Sequence, residues 1–309
     1  MITLPAVNEH LTARPTVRLT ARLTAQDAGM LLVCLIWGIN FSVTKVAIEL
    51  MPALPFTALR FAGASVLLWL IVRATEGPAT YAPGELRRLV VLGIVGNTLY
   101  QIAFILGLAH TTATNSSLIL ATVPTAVAVF AWLLRLERVT PRTWTGIALG
   151  TVGVVLVIAT SGVHFSARTI TGDLLTVLAM LCWAGYTIGL RTLPEGVSPL
   201  RVTSVTAIAG TPGLVLVGLP GLLVMQWAAI PASAWWALAY ATLLSLVVAY
   251  VLWNRSVQVV GGTRTAIYMC VTPLVAVAAA WVILGEHARP TQGIGAALII
   301  GGVLLTRRS

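Results

Sequence analysis

Four apolar stretches carry polar and aromatic residues at helical spacing, and they set the chemistry open to this chain. In the first, Trp37, Asn40, Phe41 and Thr44 fall at i, i+3, i+4, i+7, with Lys45 one residue on. Asn97, Tyr100, Gln101 and Phe104 repeat that spacing further along, and Trp183, Tyr186 and Thr187 form a shorter stripe. Tyr268 stands deep in a fourth stretch. Such stripes are costly against lipid, so each should face protein or a water-filled cavity. An ammonium beside amides and hydroxyls suits a carboxylate, and rings suit an apolar or aromatic body. Lys45 has a second reading, snorkelling to the interface from a helix end. The substrate-binding candidates are Trp37, Asn40, Lys45, Tyr100, Gln101, Trp183, Tyr186 and Tyr268. This is binding chemistry rather than catalysis. The histidines His10, His110, His164 and His287 lie in tails or loops with no metal-ligand pairing, and Cys34, Cys182 and Cys270 sit in apolar runs without metal or redox spacing. No metal and no cofactor is expected, and no nucleotide-binding loop is present to consume ATP. Glu9, Asp27, Glu49, Glu76, Glu85, Glu137, Asp173, Glu195 and Glu286 all fall in tails or at span ends. That distribution argues against a carrier of lipophilic cations built around a mid-membrane carboxylate.

The elements that hold these residues are membrane helices. The chain has 309 residues, is 58% hydrophobic and carries only 9% charged residues, far below the roughly 25% of a soluble domain. Ten apolar segments can be drawn, at about 28–48, 55–73, 88–108, 114–134, 143–160, 172–191, 200–223, 233–253, 263–284 and 291–306. Pro52, Pro78, Pro141, Pro194, Pro231, Gly261-Gly262 and Pro290 mark the breaks. The fold class is an all-α polytopic membrane protein. With the N-terminus cytoplasmic, fifteen of the nineteen Lys and Arg residues fall inside, leaving Lys45, Arg60, Arg168 and Arg289 for the outer side. The net charge of +10 is read as this bias rather than as a nucleic-acid surface. The polar N-terminal stretch is read as a cytoplasmic tail, not a signal peptide.

An internal repeat organises the ten segments. Pro124, Trp132, Glu137, Pro141, Gly146 and Gly153 recur as Pro273, Trp281, Glu286, Pro290, Gly295 and Gly302, each pair 149 residues apart (273 − 124, 302 − 153). Trp37 and Lys45 recur more weakly as Trp183 and Arg191. Five spans per copy is an odd number, so the second copy runs inverted, as in alternating-access carriers with a site between the halves. The expected organisation is a cytoplasmic tail 1–27, a first five-helix repeat 28–160, an extracytoplasmic connector 161–171, a second repeat 172–306 and a short tail 307–309. Pro124 and Pro273, at matching mid-span positions, are expected kinks and hinge candidates.

On the first-span Trp37-Gly38-Ile39-Asn40-Phe41, on Arg60-Phe61, and on the Pro124…Glu137…Pro141…Gly146 set with its copy, the chain resembles the drug/metabolite transporter superfamily, in its ten-helix branch with two EamA-type halves. Within that branch it most resembles aromatic amino acid exporters of the YddG type. The resemblance implies a basket of ten helices around a central cavity, lined by spans 1, 3, 4, 6, 8 and 9, with spans 5 and 10 peripheral. The expected function is an inner-membrane carrier that exports small amphiphilic metabolites, foremost aromatic or bulky neutral amino acids. The alternative is a purine, nucleoside or drug exporter of the same superfamily. An intramembrane enzyme or a receptor is the less favoured alternative, the first for want of a nucleophile and base set, the second because an inverted repeat has no obvious purpose there. The expected partners are a small-molecule substrate and the lipid bilayer.

Overall fold

The computed structural model describes residues 25–78, 81, 84–135, 140–159, 167–193, 196–286 and 289–307. Glu137, His164 and the 161–166 part of the expected connector lie outside them. The described residues run as ten helical rods, labelled here in chain order. They are α1 Ala25–Leu50, α2 Ala53–Thr75, α3 Glu85–His110, α4 Ala113–Leu133 and α5 Pro141–Ala159, then α6 Ala167–Leu190, α7 Pro199–Val224, α8 Ala232–Val260, α9 262–284 and α10 Pro290–Arg307. No strand occurs among the described residues. Seven of the rods are long and apolar enough on their own to cross a bilayer. The chain is a multi-pass membrane protein.

Local chemistry places the rod ends. The Ser198 hydroxyl accepts from the Arg201 N–H at 3.0 Å to start α7, with Pro199 in the first turn. Thr112 does the same for α4 through the Asn115 N–H at 3.0 Å. Gly261, at φ 90°, supplies the turn between α8 and α9 that an L side chain would resist. The burial pattern is inside out relative to a soluble bundle. Leu216, Leu223, Val282 and Trp236 are 71 to 77% exposed on the perimeter, while Asn97, Asn115, Thr187 and Asn254 are fully buried.

Two rods are interrupted in matching ways. α3 passes through a π-helical stretch at Ile94–Leu99 and α8 through one at Ala241–Val248. A π-turn carries an extra residue and rotates the face that follows it. α4 breaks at Ala121-Thr122 and α9 at 268–271, so Pro124 and Pro273 lie in the first turn of the second half-helix. The expected kinks are therefore full helix breaks, each restarted by a proline whose missing N–H costs nothing there.

Neighbouring rods pack closely where glycine allows. A Cβ built on Gly153 would lie 2.8 Å from the Gly295 carbonyl oxygen, and one on Gly302 would lie 2.5 Å from that of Gly146, so α5 and α10 nearly touch backbone to backbone. Gly93 and Gly210 bring α3 and α7 together in the same manner.

Candidate functional site

The inner faces of seven rods meet around a small cavity. It is lined by Trp37, Asn40 and Phe41 of α1, Arg60 of α2, Tyr100, Gln101 and Phe104 of α3, Leu120 of α4, Trp183 of α6, Ser245 and Tyr250 of α8, and Met269 of α9. Its volume is about 30 Å³, room for a water or two. A larger occupant must part these walls.

An aromatic cluster forms one side. The Trp37 and Trp183 rings meet edge to face at 5.5 Å, Tyr100 lies 5.0 Å from Trp183, and Tyr250 lies 5.2 Å from Trp183 and 5.9 Å from Trp37. These separations are those of favourable ring pairs. The Trp37 indole N–H donates to the Ser245 carbonyl at 3.0 Å, which fixes α1 to the π-helical stretch of α8. That carbonyl is among those a π-turn can leave open to a side chain. The Trp183 indole N–H is buried and has no hydrogen-bond partner.

The opposite side is polar and charged. Arg60 is 1% exposed. Its Nη2 donates to Gln101 Oε1 at 2.5 Å, and Gln101 Nε2 donates to the Tyr250 hydroxyl at 3.1 Å. The guanidinium carbon stands 5.3 Å from the Phe56 ring centre and 5.9 Å from that of Phe61. Arg60 Nε and Asn40 Oδ1 are buried without a partner. No Asp or Glu lines the cavity, and no group of His, Cys, Asp or Glu suited to a metal ion occurs among the described residues.

Of the eight residues singled out from sequence, Trp37, Asn40, Tyr100, Gln101 and Trp183 share this cavity, and Lys45, Tyr186 and Tyr268 stand outside it. Lys45 Nζ donates to the carbonyls of Leu108 and Thr111 at 2.6 and 2.5 Å, closing the C-terminal end of α3, where unpaired carbonyls attract a cation. The Tyr186 hydroxyl donates to Asn254 Oδ1 at 3.0 Å, behind Trp183. The Tyr268 hydroxyl donates to Asp27, near the start of α1. Asn97, read on one face with Tyr100, packs instead against α7, where a Cβ on Gly210 would lie 2.6 Å from its own Cβ. The π-helical stretch that holds Asn97 breaks the α-helical count between them.

Arg60 and Tyr250 are among the lining residues that the sequence did not single out for binding. Arg60, assigned to the outer side with Lys45, is held within the bundle by Gln101 and two phenylalanines. Through it α2 joins the lining spans. Tyr250 and Trp253 are buried in the aromatic cluster, with Trp253 5.3 Å from Trp37. A clue to Arg60 existed in Phe56 and Phe61, at i−4 and i+1, which bracket it with rings.

A second polar cluster closes one end of the bundle. Glu286 Oε1 accepts the Ala113 N–H at 3.1 Å, and Oε2 accepts the Thr114 N–H and hydroxyl at 3.2 and 2.9 Å, so the carboxylate caps α4 from the α9–α10 turn. Asp173 accepts from the Thr111 hydroxyl at 2.6 Å, and Gln292 donates to Asn115 at 2.7 Å.

A multi-pass helical bundle that converges on a ring-lined pocket with a few polar groups is the architecture of a small-molecule carrier. The chain belongs to the EamA-like transporter family, whose model matches it twice, over residues 26–159 and 170–308. It is similar to the uncharacterized transporter YyaM of Bacillus subtilis, at 29% identity over 86% of this chain and 88% of that one. It is also similar to an uncharacterized transporter of Archaeoglobus fulgidus, at 31% identity over 89% and 94%. A third relative, from Streptantibioticus cattleyicolor, is described as a "Probable terminal-alkyne amino-acid exporter" and is 27% identical over 91% and 92%. One solved crystal structure shares the fold with a TM-score of 0.63 at 20% identity, covering 92% of this chain and 98% of the other.

Proposed function

We propose that this transporter exports small amphiphilic metabolites by alternating access between two inverted five-helix repeats, with aromatic or bulky neutral amino acids as its leading cargo. The observation that carries the reading is the meeting of equivalent residues across the cavity. Gln101 and Tyr250 are 149 positions apart and hydrogen-bond to each other. Trp37 and Trp183 occupy matching places in the two halves and touch. Pairs of this kind arise where a pseudo-two-fold axis crosses the site, the position of substrate in inverted-repeat carriers. The matched π-helical stretches and the matched breaks of α4 and α9 support the same symmetry and give each half a hinge, at Pro124 and Pro273. A cavity too small for a metabolite fits a conformation closed at both ends.

We place both termini in the cytoplasm, at an inner (plasma) membrane, from the excess of Lys and Arg at the inner ends of the spans, which stands at fifteen to three once buried Arg60 is set aside. On that orientation the Lys45 and Glu286 cluster is the outer seal. The aromatic walls would also accept a purine ring, which keeps nucleobases as the alternative cargo. Purified protein in proteoliposomes should move phenylalanine or tyrosine faster than protein-free vesicles do, and faster than it moves alanine. Equal rates with and without protein across amino acids and purines would refute the reading.

A further inference from the structure

We propose that the cargo is an organic anion, a carboxylate with an aromatic or bulky apolar body, bound through Arg60, and that the membrane potential therefore drives its export. The inference rests on the carrier reading and departs from its leading cargo, because a zwitterionic amino acid carries no net charge.

A guanidinium is charged at every relevant pH, and an ionised group that is fully buried is expensive unless it is paired. Arg60 is fully buried, yet every charge-bearing wall residue of the cavity is accounted for by Arg60 alone. Its surroundings are Gln101, two phenylalanine faces, and the hydroxyls of Tyr100 and Tyr250, all neutral. The arrangement steadies a cation without neutralising it. The hydrogen-bond inventory leans the same way. Arg60 Nε and the Trp183 N–H are buried donors with no acceptor, against one buried cavity-lining acceptor without a donor, Asn40 Oδ1. A ligand that fits must bring acceptors and negative charge. A carboxylate does so, and it would match the guanidinium edge in two-pronged fashion. An ammonium would face the like charge of Arg60 across a narrow cavity that holds no carboxylate to offset it. The amino group of an amino acid is therefore not what this site recognises.

A monovalent anion carried alone moves one charge per cycle. An inside-negative potential of 100 mV then holds it about fifty-fold more concentrated outside than inside, with neither ATP nor a proton relay.

The test uses 3-phenylpropionate, its neutral amide 3-phenylpropionamide, and phenylalanine, measured for binding to purified protein and for flux in proteoliposomes with a potassium-valinomycin potential. The wild type should bind 3-phenylpropionate at least tenfold more tightly than the amide and no more weakly than phenylalanine. Its efflux should rise with inside-negative potential. Arg60→Gln should bring acid and amide to within about twofold of each other. Gln101→Glu supplies an internal counter-ion in place of a neutral neighbour, so it guards against loss of fold. It should weaken the acid tenfold or more and leave the amide nearly unchanged. Equal binding of acid and amide by the wild type, discrimination that survives in both variants, or acid flux indifferent to potential would each overturn the proposal. If phenylalanine or the amide still moves in that case, the carrier reading stands and only the anion inference falls. If the wild type moves none of the three, both fall for this class of cargo.

Discussion

Replacing Lys45 with methionine separates two roles that the sequence left open. Methionine keeps the apolar stem and removes the ammonium. Two charge-assisted hydrogen bonds would be lost, to the carbonyls of Leu108 and Thr111 at 2.6 and 2.5 Å. A hydrogen bond to a charged group contributes about 1.5–3 kcal/mol. The Lys45 side chain is only partly buried, so water repays part of the loss, and about one bond's worth, roughly 1.5–3 kcal/mol, is the net cost. The contact joins α1 to the end of α3 outside the cavity, so on the proposed alternating access it should weigh on opening rather than on affinity. A change of that size alters the ratio of closed to open molecules by about ten- to a hundredfold. The assay is labelling of a cysteine placed at Leu120, which lines the cavity, by a membrane-impermeant thiol reagent. Labelling should accelerate at least several-fold in Lys45→Met, while the acid-to-amide affinity ratio stays within about twofold of wild type. A collapsed ratio with unchanged labelling would refute the reasoning and return Lys45 to the binding site.

Trp183→Ala should weaken ring-bearing ligands more than small ones, by about two- to tenfold, since an aromatic pair adds roughly 0.5–1.5 kcal/mol beyond area; competition binding of phenylalanine against alanine measures it. Gly96→Ala should lower the melting temperature, because its Cβ would meet Tyr186 Cδ2 at 2.3 Å while Asn254 pins that ring; overpacking of this kind costs about 1–3 kcal/mol, and an unchanged melting temperature would show that Tyr186 can move. Arg191→Gln should reduce the amount of inserted protein more than the rate per molecule, read from membrane yield against flux, since Arg191 is exposed at the end of α6; normal yield with abolished flux would contradict this.

The ten rods were legible because each break is chemically marked. The prolines that open α5, α7 and α10, and Gly261 between α8 and α9, stop one helix and permit the next. Trp37, Asn40, Tyr100, Gln101 and Trp183 were legible because polar and ring side chains on one helical face have few places to go in a bilayer. Arg60 was hidden by its isolation. A lone basic residue in the second turn of a span reads as an interface anchor, and nothing local says that Gln101, 41 positions away, will receive it. Tyr250 was hidden by geometry, since the π-helical stretch Ala241–Val248 turns its face away from where a 3.6-residue period puts it. Lys45 is the opposite case. Its polar stripe was real, but the carbonyls it serves belong to a different helix.

The proposed symmetry of the two halves does not extend to charge, and that asymmetry has a mechanical consequence. Ser65 and Thr211, 146 positions apart, bond across α2 and α7 at 2.8 Å. The same offset sets Thr206 opposite Arg60. The rings come in pairs, Trp37 with Trp183, and so do the ends. Lys45 closes α3, and its copy Arg191 lies beside the junction after α8, its Cδ 3.6 Å from a Cβ built on Gly262. On the proposed alternating access, paired ends would give inward and outward opening similar barriers. The cation, present once, gives the cargo one polarity throughout the cycle. On the anion proposal, a carboxylate anchored on α2 would stay with the first half, with its ring beside Trp37 and Trp183 near the proposed axis. Direction is then imposed by the gradients across the membrane rather than by the protein. Raising the potential should change the net flux of a charged cargo and leave its affinity at the closed site unaltered.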